Sequence, residues 1–325
     1  MEDVSDPTTQ FHQPVLLKEV AEFLEIEPGK KYIDATVGGG GHAQIILKEG
    51  GKLLGIDFDP EAVDFAKRKL EESVDTSGDS YKIVKGNFKN IEAIAKEYSF
   101  LPADGILFDL GMSSWQIEGS GKGFSFLKDE PLDMRMDPAL SVKAQDLLNG
   151  LTENELDELF SRFAEEKRSR TIAKAVVRSR SVRPFETTQE LAGLLAWVEK
   201  EPEQDFWSWY EKMFAKDPKS WGDYGRRARI FQSLRIIVND ELNNLKTALP
   251  RALRILETGG RLVVISFHSL EDRIVKEFGK EYSEGSCERK VRILTPKPVR
   301  PSPEEVSQNP RSRSAMLRAM EKISQ

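Results

Sequence analysis

The chain has 325 residues, enough for one large domain or two of medium size. Hydrophobic residues make up 39% and charged residues 31%, so a core is affordable and the surface is made for water, with no apolar run of the roughly 18 residues that a membrane span needs. The net charge of −6 argues against a general polyanion binder, the single Cys287 excludes an internal disulfide, and one cysteine with three histidines makes a structural zinc site improbable. The first ten residues are polar and acidic, without a secretory pattern, so a cytoplasmic protein with no membrane partner is expected.

In chain order, the first strong signal is an apolar pair, Tyr32 and Ile33, running into Asp34. Four glycines, Gly38 to Gly41, then make a turn before His42 and a predicted helix from Ala43 to Lys48. A buried-strand pattern, Lys52 to Ile56, ends in Asp57. Strand, glycine loop, helix, strand and terminal acid form the nucleotide-binding half of a doubly wound sheet. Asp57 stands about 20 residues beyond the first glycine, a spacing that suits two ribose hydroxyls. Contiguous glycines behind an acid fit a pyrophosphate poorly, because that group needs G-x-G-x-x-G and helix amides. An acid at Asp34 suits a cation instead. S-adenosylmethionine (SAM) has a sulfonium, an ammonium and a ribose diol but no phosphate.

The alternation continues with a helix over Pro60 to Glu72, a strand at Lys82 to Val84 followed by Asn87 and Phe88, and a helix over Ile91 to Tyr98. A strand from Asp104 to Asp109 leads into Leu110-Gly-Met-Ser113-Ser114. This pattern predicts an α/β protein with a parallel sheet and helices on both faces. From about Trp115 to Gly225 the strands stop, and helices are predicted at Asn154 to Phe163, Arg170 to Arg180 and Thr188 to Glu199. Thr152 and Glu155 have the spacing of a capping box. After a long helical run, Ile230 to Leu256, the sheet resumes at Gly259 to Ser266, with Val291 to Leu294 and Ser314 to Arg318 as the last two strands. The expected organisation is a sheet domain over 1–114 and 226–325, ending in a basic tail, split by a helical insertion over 115–225.

Ligands of an open α/β sheet bind beyond the carboxyl ends of its strands. Gly38 to His42, Asp57, Phe88, Asp109 to Ser114 and His268 all fall at such ends. Phe88 offers an apolar face to adenine. His42 and His268 each open a helix, so a capping role is open beside a chemical one. Charge is uneven: Arg162 to Arg183 holds eight basic residues against two acids, and Glu288 to Gln325 nine against four. These stretches could flank a polyanion or be solvated faces. The segment from Asp205 to Tyr224 carries Trp207, Trp209 and Trp221, which would either stack on bases or pack as a helical hairpin.

Longer strings make the sequence recognisable. His12 to Leu17, the glycine loop through His42, Asp57 to Pro60, Asp109 to Ser114, Gly123 to Phe126, Pro131 to Asp137, Phe231 to Arg235, Ile265 to Arg273 and Asn309 to Ser314 run almost from end to end. Together they resemble the bacterial MraW family, the small-subunit ribosomal RNA methyltransferases H. The resemblance implies a doubly wound, Rossmann-like SAM-dependent methyltransferase that methylates N4 of one cytidine in the decoding centre of 16S RNA. It implies SAM ligands at Gly40, Gly41, His42, Asp57, Phe88, Asp109 and Gln116. No metal is expected, and the expected partner is 16S RNA or the small subunit, with a homodimer left open. The chain departs from the family between Val198 and Arg229, where a longer, Trp-rich segment stands and Gly225-Arg-Arg-Ala228 replaces the His-Pro-Ala expected just before Phe231.

For such a reaction the cytosine amine is a poor nucleophile, so it must be held in line with the methyl group and shielded from water. The Asp/Asn-Pro-Pro-aromatic motif of many amino-methyltransferases is absent. Accepting hydrogen bonds from the amine then falls to Asp109 or to Ser113 and Ser114, with His268 as a further catalytic candidate. Arg168, Lys174 and Arg178, spaced six and four apart, are expected to hold RNA phosphates roughly along one helix face. A methyltransferase of DNA or a small molecule, and a SAM-binding ribosome assembly factor, are the alternatives.

Overall fold

The computed structural model describes residues 14–73, 80–200, 205–213, 223–284 and 290–324. His12, Gln13, Cys287 and Trp221 lie outside them. Two compact units emerge: one joins residues 1–113 to 242–325, and the other spans Ser114–Glu241.

The first unit is built on seven strands: β1 (Lys31–Asp34), β2 (Lys52–Asp57), β3 (Tyr81–Lys85), β4 (Ala103–Asp109), β5 (Leu256–Ser266), β6 (Val291–Ile293) and β7 (Met316–Lys322). They lie in the order β3-β2-β1-β4-β5-β7-β6. Helices α1 (Leu17–Leu24), α2 (Gly41–Lys48), α3 (Pro60–Ser73) and α4 (Ile91–Glu97) separate the early strands. Successive strand residues point to opposite faces, and both faces are buried. Ile106 and Phe108 enter one cluster with Leu54, Ile56 and Val264. Leu107 enters the other with Leu53, Val263 and Leu317. This is why the strands read as continuous apolar runs rather than alternating ones.

Three expectations shift. The sheet is not wholly parallel, because β7 runs antiparallel to both β5 and β6. The predicted strand at Ser314 to Arg318 begins at Met316 and continues to Lys322, since Pro310–Ser314 is wound into a 3-10 turn. The basic C-terminal stretch is therefore folded into the sheet rather than loose. Arg318 forms a bidentate pair with Asp272 at 2.7 and 3.0 Å, and buried Lys322 donates to the Leu256 carbonyl at 2.6 Å.

The second unit holds α5 (Ser114–Glu118), α6 (Ala144–Gly150), α7 (Glu153–Phe163), α8 (Ser169–Arg180), α9 (Thr188–Lys200), α10 (Phe206–Met213) and α11 (Tyr224–Val238). Its strand pairing among the described residues is the isolated bridge between Pro131 and Thr187. The Thr152 capping box forms: its hydroxyl accepts from the Glu155 amide at 3.3 Å, and the Glu155 carboxylate accepts from the Thr152 amide at 2.8 Å. The single helical run expected from Ile230 to Leu256 is two helices, α11 and α12 (Glu241–Ile255), broken at Asp240, whose φ is +52°. Because α11 packs on α6 and α7, the helical unit reaches Glu241 rather than residue 225. The remaining helices, α13 (Ser269–Glu284) and α14 (Pro303–Gln308), belong to the sheet unit. No helix among the described residues is long and apolar enough to cross a membrane.

Candidate active site

Because β2 and β4 flank β1 on opposite sides, the winding direction reverses between β1 and β4. Loops leave in opposite directions there and open a crevice, the usual ligand position in this class of sheet. Three acids stand at the carboxyl ends of β1, β2 and β4: Asp34, Asp57 and Asp109.

The glycine loop bridges two of them. Gly38 takes φ +48° and Gly40 φ +74°, left-handed values costly for a residue with a Cβ. Gly41 meets a different limit: a Cβ there would lie 2.9 Å from the Pro14 ring. The loop carries no side chains, which lets its backbone pack closely. The Gly38 amide donates to Asp57 Oδ2 at 2.8 Å, and the Asp59 amide donates to Asp57 Oδ1 at 2.9 Å. These bonds aim the carboxylate before any ligand arrives. Phe88 follows β3 on a 3-10 turn, its ring edge-on to Phe108 with centroids 5.7 Å apart.

His42 is buried at the first turn of α2. Its Nε2 lies 3.0 Å from the Val15 carbonyl, and its Nδ1 lies 3.4 Å from Asp109 Oδ2. The Asp109 amide donates to the Thr36 hydroxyl at 2.7 Å, tying the end of β4 to the start of the glycine loop. Burial pushes the Asp34 carboxyl up to about 7; His42 and the Thr36 amide oppose that rise, while Asp109 and Asp57 add to it. Burial likewise raises Asp57 to about 6, against the amides it accepts. Burial alone would lower His42, but Asp109 and Asp34 outweigh it and the imidazole is raised. The site therefore holds more acid than neighbouring cation.

Ser113 is buried behind Gly111, whose φ of +125° leaves no room for a Cβ, 2.9 Å from the Phe267 ring. Ser114 opens α5, and its side chain lies outside what the structure describes. Gln116 belongs to the helical unit, buried on α5. His268 closes on its own helix. Its Nδ1 faces the Glu271 amide at 3.4 Å, and Glu271 Oε2 accepts from the Phe267 amide at 2.8 Å. That is the capping role.

In the helical unit, Lys174 and Arg178 are exposed on α8, but Arg168 does not share their face. Six residues turn a helix about 240°, and Arg168 is half-buried ahead of the helix, its guanidinium reaching the Val198 carbonyl at 3.4 Å. Arg170, Lys174 and Arg178, each four residues apart, form the exposed row. Trp207 and Trp209 are buried, not offered to bases; Trp207 Nε1 donates to the Ser179 carbonyl at 2.7 Å and Arg183 covers its ring. The departure at Gly225 to Ala228 has an internal use. Arg226 and Arg229 converge on buried Glu166 at 3.2 and 3.1 Å, and Arg227 is buried over the Phe126 ring.

The profile of the MraW methylase family matches residues 9–323. The chain belongs to the MraW methylase family. A protein of Thermomicrobium roseum named "Ribosomal RNA small subunit methyltransferase H" is 42% identical, with 98% of this chain and 96% of that protein covered. One of the same name from Thermotoga neapolitana is 43% identical, covering 97% of each. A crystal structure titled as a putative rRNA-methylase from Clostridium thermocellum aligns with a TM-score of 0.41 at 14% identity, covering 96% of this chain and 99% of that one.

The methyl donor of this methylase is SAM, and the residues present suit it: a glycine cradle without Cβ atoms, a pre-aimed acid for a diol, and surplus acid for a cation. Asp34 and the Val15 carbonyl did not enter the sequence-derived ligand set. Asp34 carried a signal, an acid on the strand before the glycines; nothing in the sequence pairs residue 15 with residue 42.

Proposed function

We propose that this protein methylates N4 of one cytidine in the decoding centre of 16S ribosomal RNA, in the cytoplasm, using SAM. The observation that carries the reading is the family match over residues 9–323 joined to an acid-rich crevice at the switch point of the sheet. The names borne by the relatives support the small-subunit RNA as substrate.

SAM supplies an electrophilic methyl group. Gly40, Gly41, His42, Asp57, Phe88 and Asp109 are proposed to hold it, together with Gln116. Asp57 accepts from a ribose diol while its carboxylate stays fixed by the Gly38 and Asp59 amides. Phe88, braced against Phe108, covers an adenine face. Asp109, at the end of β4, accepts hydrogen bonds from the cytosine amine, so that its lone pair turns out of conjugation with the ring. Ser113 is buried beside that strand end and is a second acceptor. His268 is left to capping. The target base has to leave its stack to reach such a crevice, and the Arg170, Lys174 and Arg178 row neutralises flanking phosphates.

The test uses methyl-labelled SAM with unmethylated small subunits, naked small-subunit RNA and DNA, followed by nucleoside digestion. Label in N4-methylcytidine from one RNA site is expected. Label in another base or in DNA overturns the substrate; SAM binding without label on any of the three leaves an assembly factor.

A further inference from the structure

The buried contacts of His42 fix where its protons are. A carbonyl oxygen only accepts, so the 3.0 Å contact with Val15 requires a hydrogen on Nε2. The ring cannot be turned over without loss, because both nitrogens would exchange with carbons and both polar contacts would vanish. Nδ1 then faces Asp109 Oδ2 at 3.4 Å. If the imidazole were neutral, its Nδ1 lone pair would oppose a carboxylate in a site where the His42 side chain is only 4% exposed and that of Asp109 10%. Buried lone pairs set against each other are costly. One proton must therefore lie between the two groups.

The surroundings choose its owner. The charged groups facing His42 are Asp109 from the end of β4 and Asp34 from the end of β1, with Asp57 at the end of β2 acting through Asp34. All are acids, and all favour a positive ring. We propose that His42 is a positioning residue: an imidazolium, protonated on both nitrogens, that holds Asp109 as a fixed carboxylate. The inference rests on the reading above only for its purpose, namely that Asp109 accepts hydrogen bonds from the amine. A carboxylate paired in this way remains an acceptor through the reaction and does not take up the proton that the amine loses, which passes to water. The same pair joins the segment before α1 to the end of β4.

Two-dimensional nitrogen–proton spectra of histidine-labelled full-length protein, without SAM, test this directly. The chain has three histidines, so His12→Gln and His268→Gln leave His42 assigned. The expected pattern is a ring still protonated on both nitrogens above the ordinary histidine midpoint. Asp109→Asn should lower the His42 midpoint. Should that variant fail to fold, Asp34→Asn serves instead and should move the His42 midpoint in the same direction. A neutral Nε2–H ring above the ordinary histidine midpoint, or a His42 midpoint unmoved by the acid-to-amide variants, overturns the proposal. In turnover, His42→Gln should move the acid limb of the kcat profile to higher pH, a change that a merely structural role would not produce; an unmoved limb counts against the role. Failure of the wider reading looks different: Asp109→Ala turnover restored by saturating SAM would make Asp109 a cofactor ligand only, while the spectra of His42 stayed as expected.

Discussion

The crevice of the sheet unit and the core of the helical unit treat buried acid in opposite ways. At the crevice, Asp34 and Asp57 are driven up to about 7 and about 6 by burial, with no arginine or lysine among their leading partners. In the helical unit, burial also raises Asp133 and Glu166, but arginines more than cancel it and both carboxyls fall below their ordinary values. Arg135 grips Asp133 at 2.7 and 2.8 Å and then caps the Pro138 and Leu140 carbonyls. Asn239 fastens the same loop to the end of α11, bonding the Met134 carbonyl and the Met136 amide, each at 2.8 Å. The long string from Pro131 to Asp137 is thus a finished structural clamp. An acid matched by arginine holds the fold together; at the crevice, acid exceeds the built-in cation, His42, and is left to accept from a ligand.

The comparison breaks most visibly at Asp57. Asp57→Ala removes two charge-assisted acceptor bonds to SAM, each worth roughly 1.5–3 kcal/mol, so affinity should fall by two orders of magnitude or more with little change in melting temperature. Calorimetry that finds SAM affinity unchanged removes Asp57 from the site.

Glu166→Ala should do the reverse. It removes one partner of Arg226, which keeps Glu199, and the partner of Arg229, and breaking a buried pair costs up to about 3 kcal/mol, less here because Arg226 stays paired and Arg229 is half-exposed. Denaturant unfolding should show that loss while SAM affinity stays near wild type. A stable variant would make the network ornamental.

Asp34→Asn sharpens the contrast through pH. A carboxyl raised in the folded state binds protons that the unfolded chain has released, so its burden on stability grows as pH rises from about 4 through about 7. The variant should flatten that slope and gain on the order of 1 kcal/mol or more above pH 7, at the expense of SAM binding. Asp133 and Glu166, lowered by their arginines, give the opposite dependence: their contribution is complete above the ordinary carboxylate range and is lost as acid is added. A thermal stability indifferent to Asp34→Asn at pH 8 contradicts this assignment.

The smallest effect belongs to the basic row on α8. Replacing Arg170, Lys174 and Arg178 with Glu should weaken RNA binding and shallow its salt dependence by about 0.7–0.9 per lost phosphate contact. SAM affinity should not move. An unchanged slope makes the row a solvated face.

Much of the sheet unit was legible because its signals are local. Apolar runs ending at Asp34, Asp57 and Asp109, and the glycines between the first two, each reflect a constraint acting within a few residues. The reversal of β7 was not, since its partners β5 and β6 are distant in sequence and the strand pattern carries no direction. The break at Asp240 hides inside a continuous helical periodicity, for a single left-handed residue leaves no mark on spacing. The Trp-rich segment left two readings open for a physical reason: tryptophan beside charge reads alike whether its ring meets a base or, as with Trp207, a buried carbonyl and an arginine. Pairings such as Val15 with His42 and Glu166 with Arg226 exist only once the chain has folded.

The central claim, that the crevice keeps acid in reserve for a cation, is tested most directly by titration calorimetry of SAM in buffers of differing ionisation heat between pH 5.5 and 7.5. Binding should expel protons from Asp57 and Asp34, with net release near pH 6 to 7 and affinity rising with pH across that range. Binding without proton release, at an affinity independent of pH, would contradict the account.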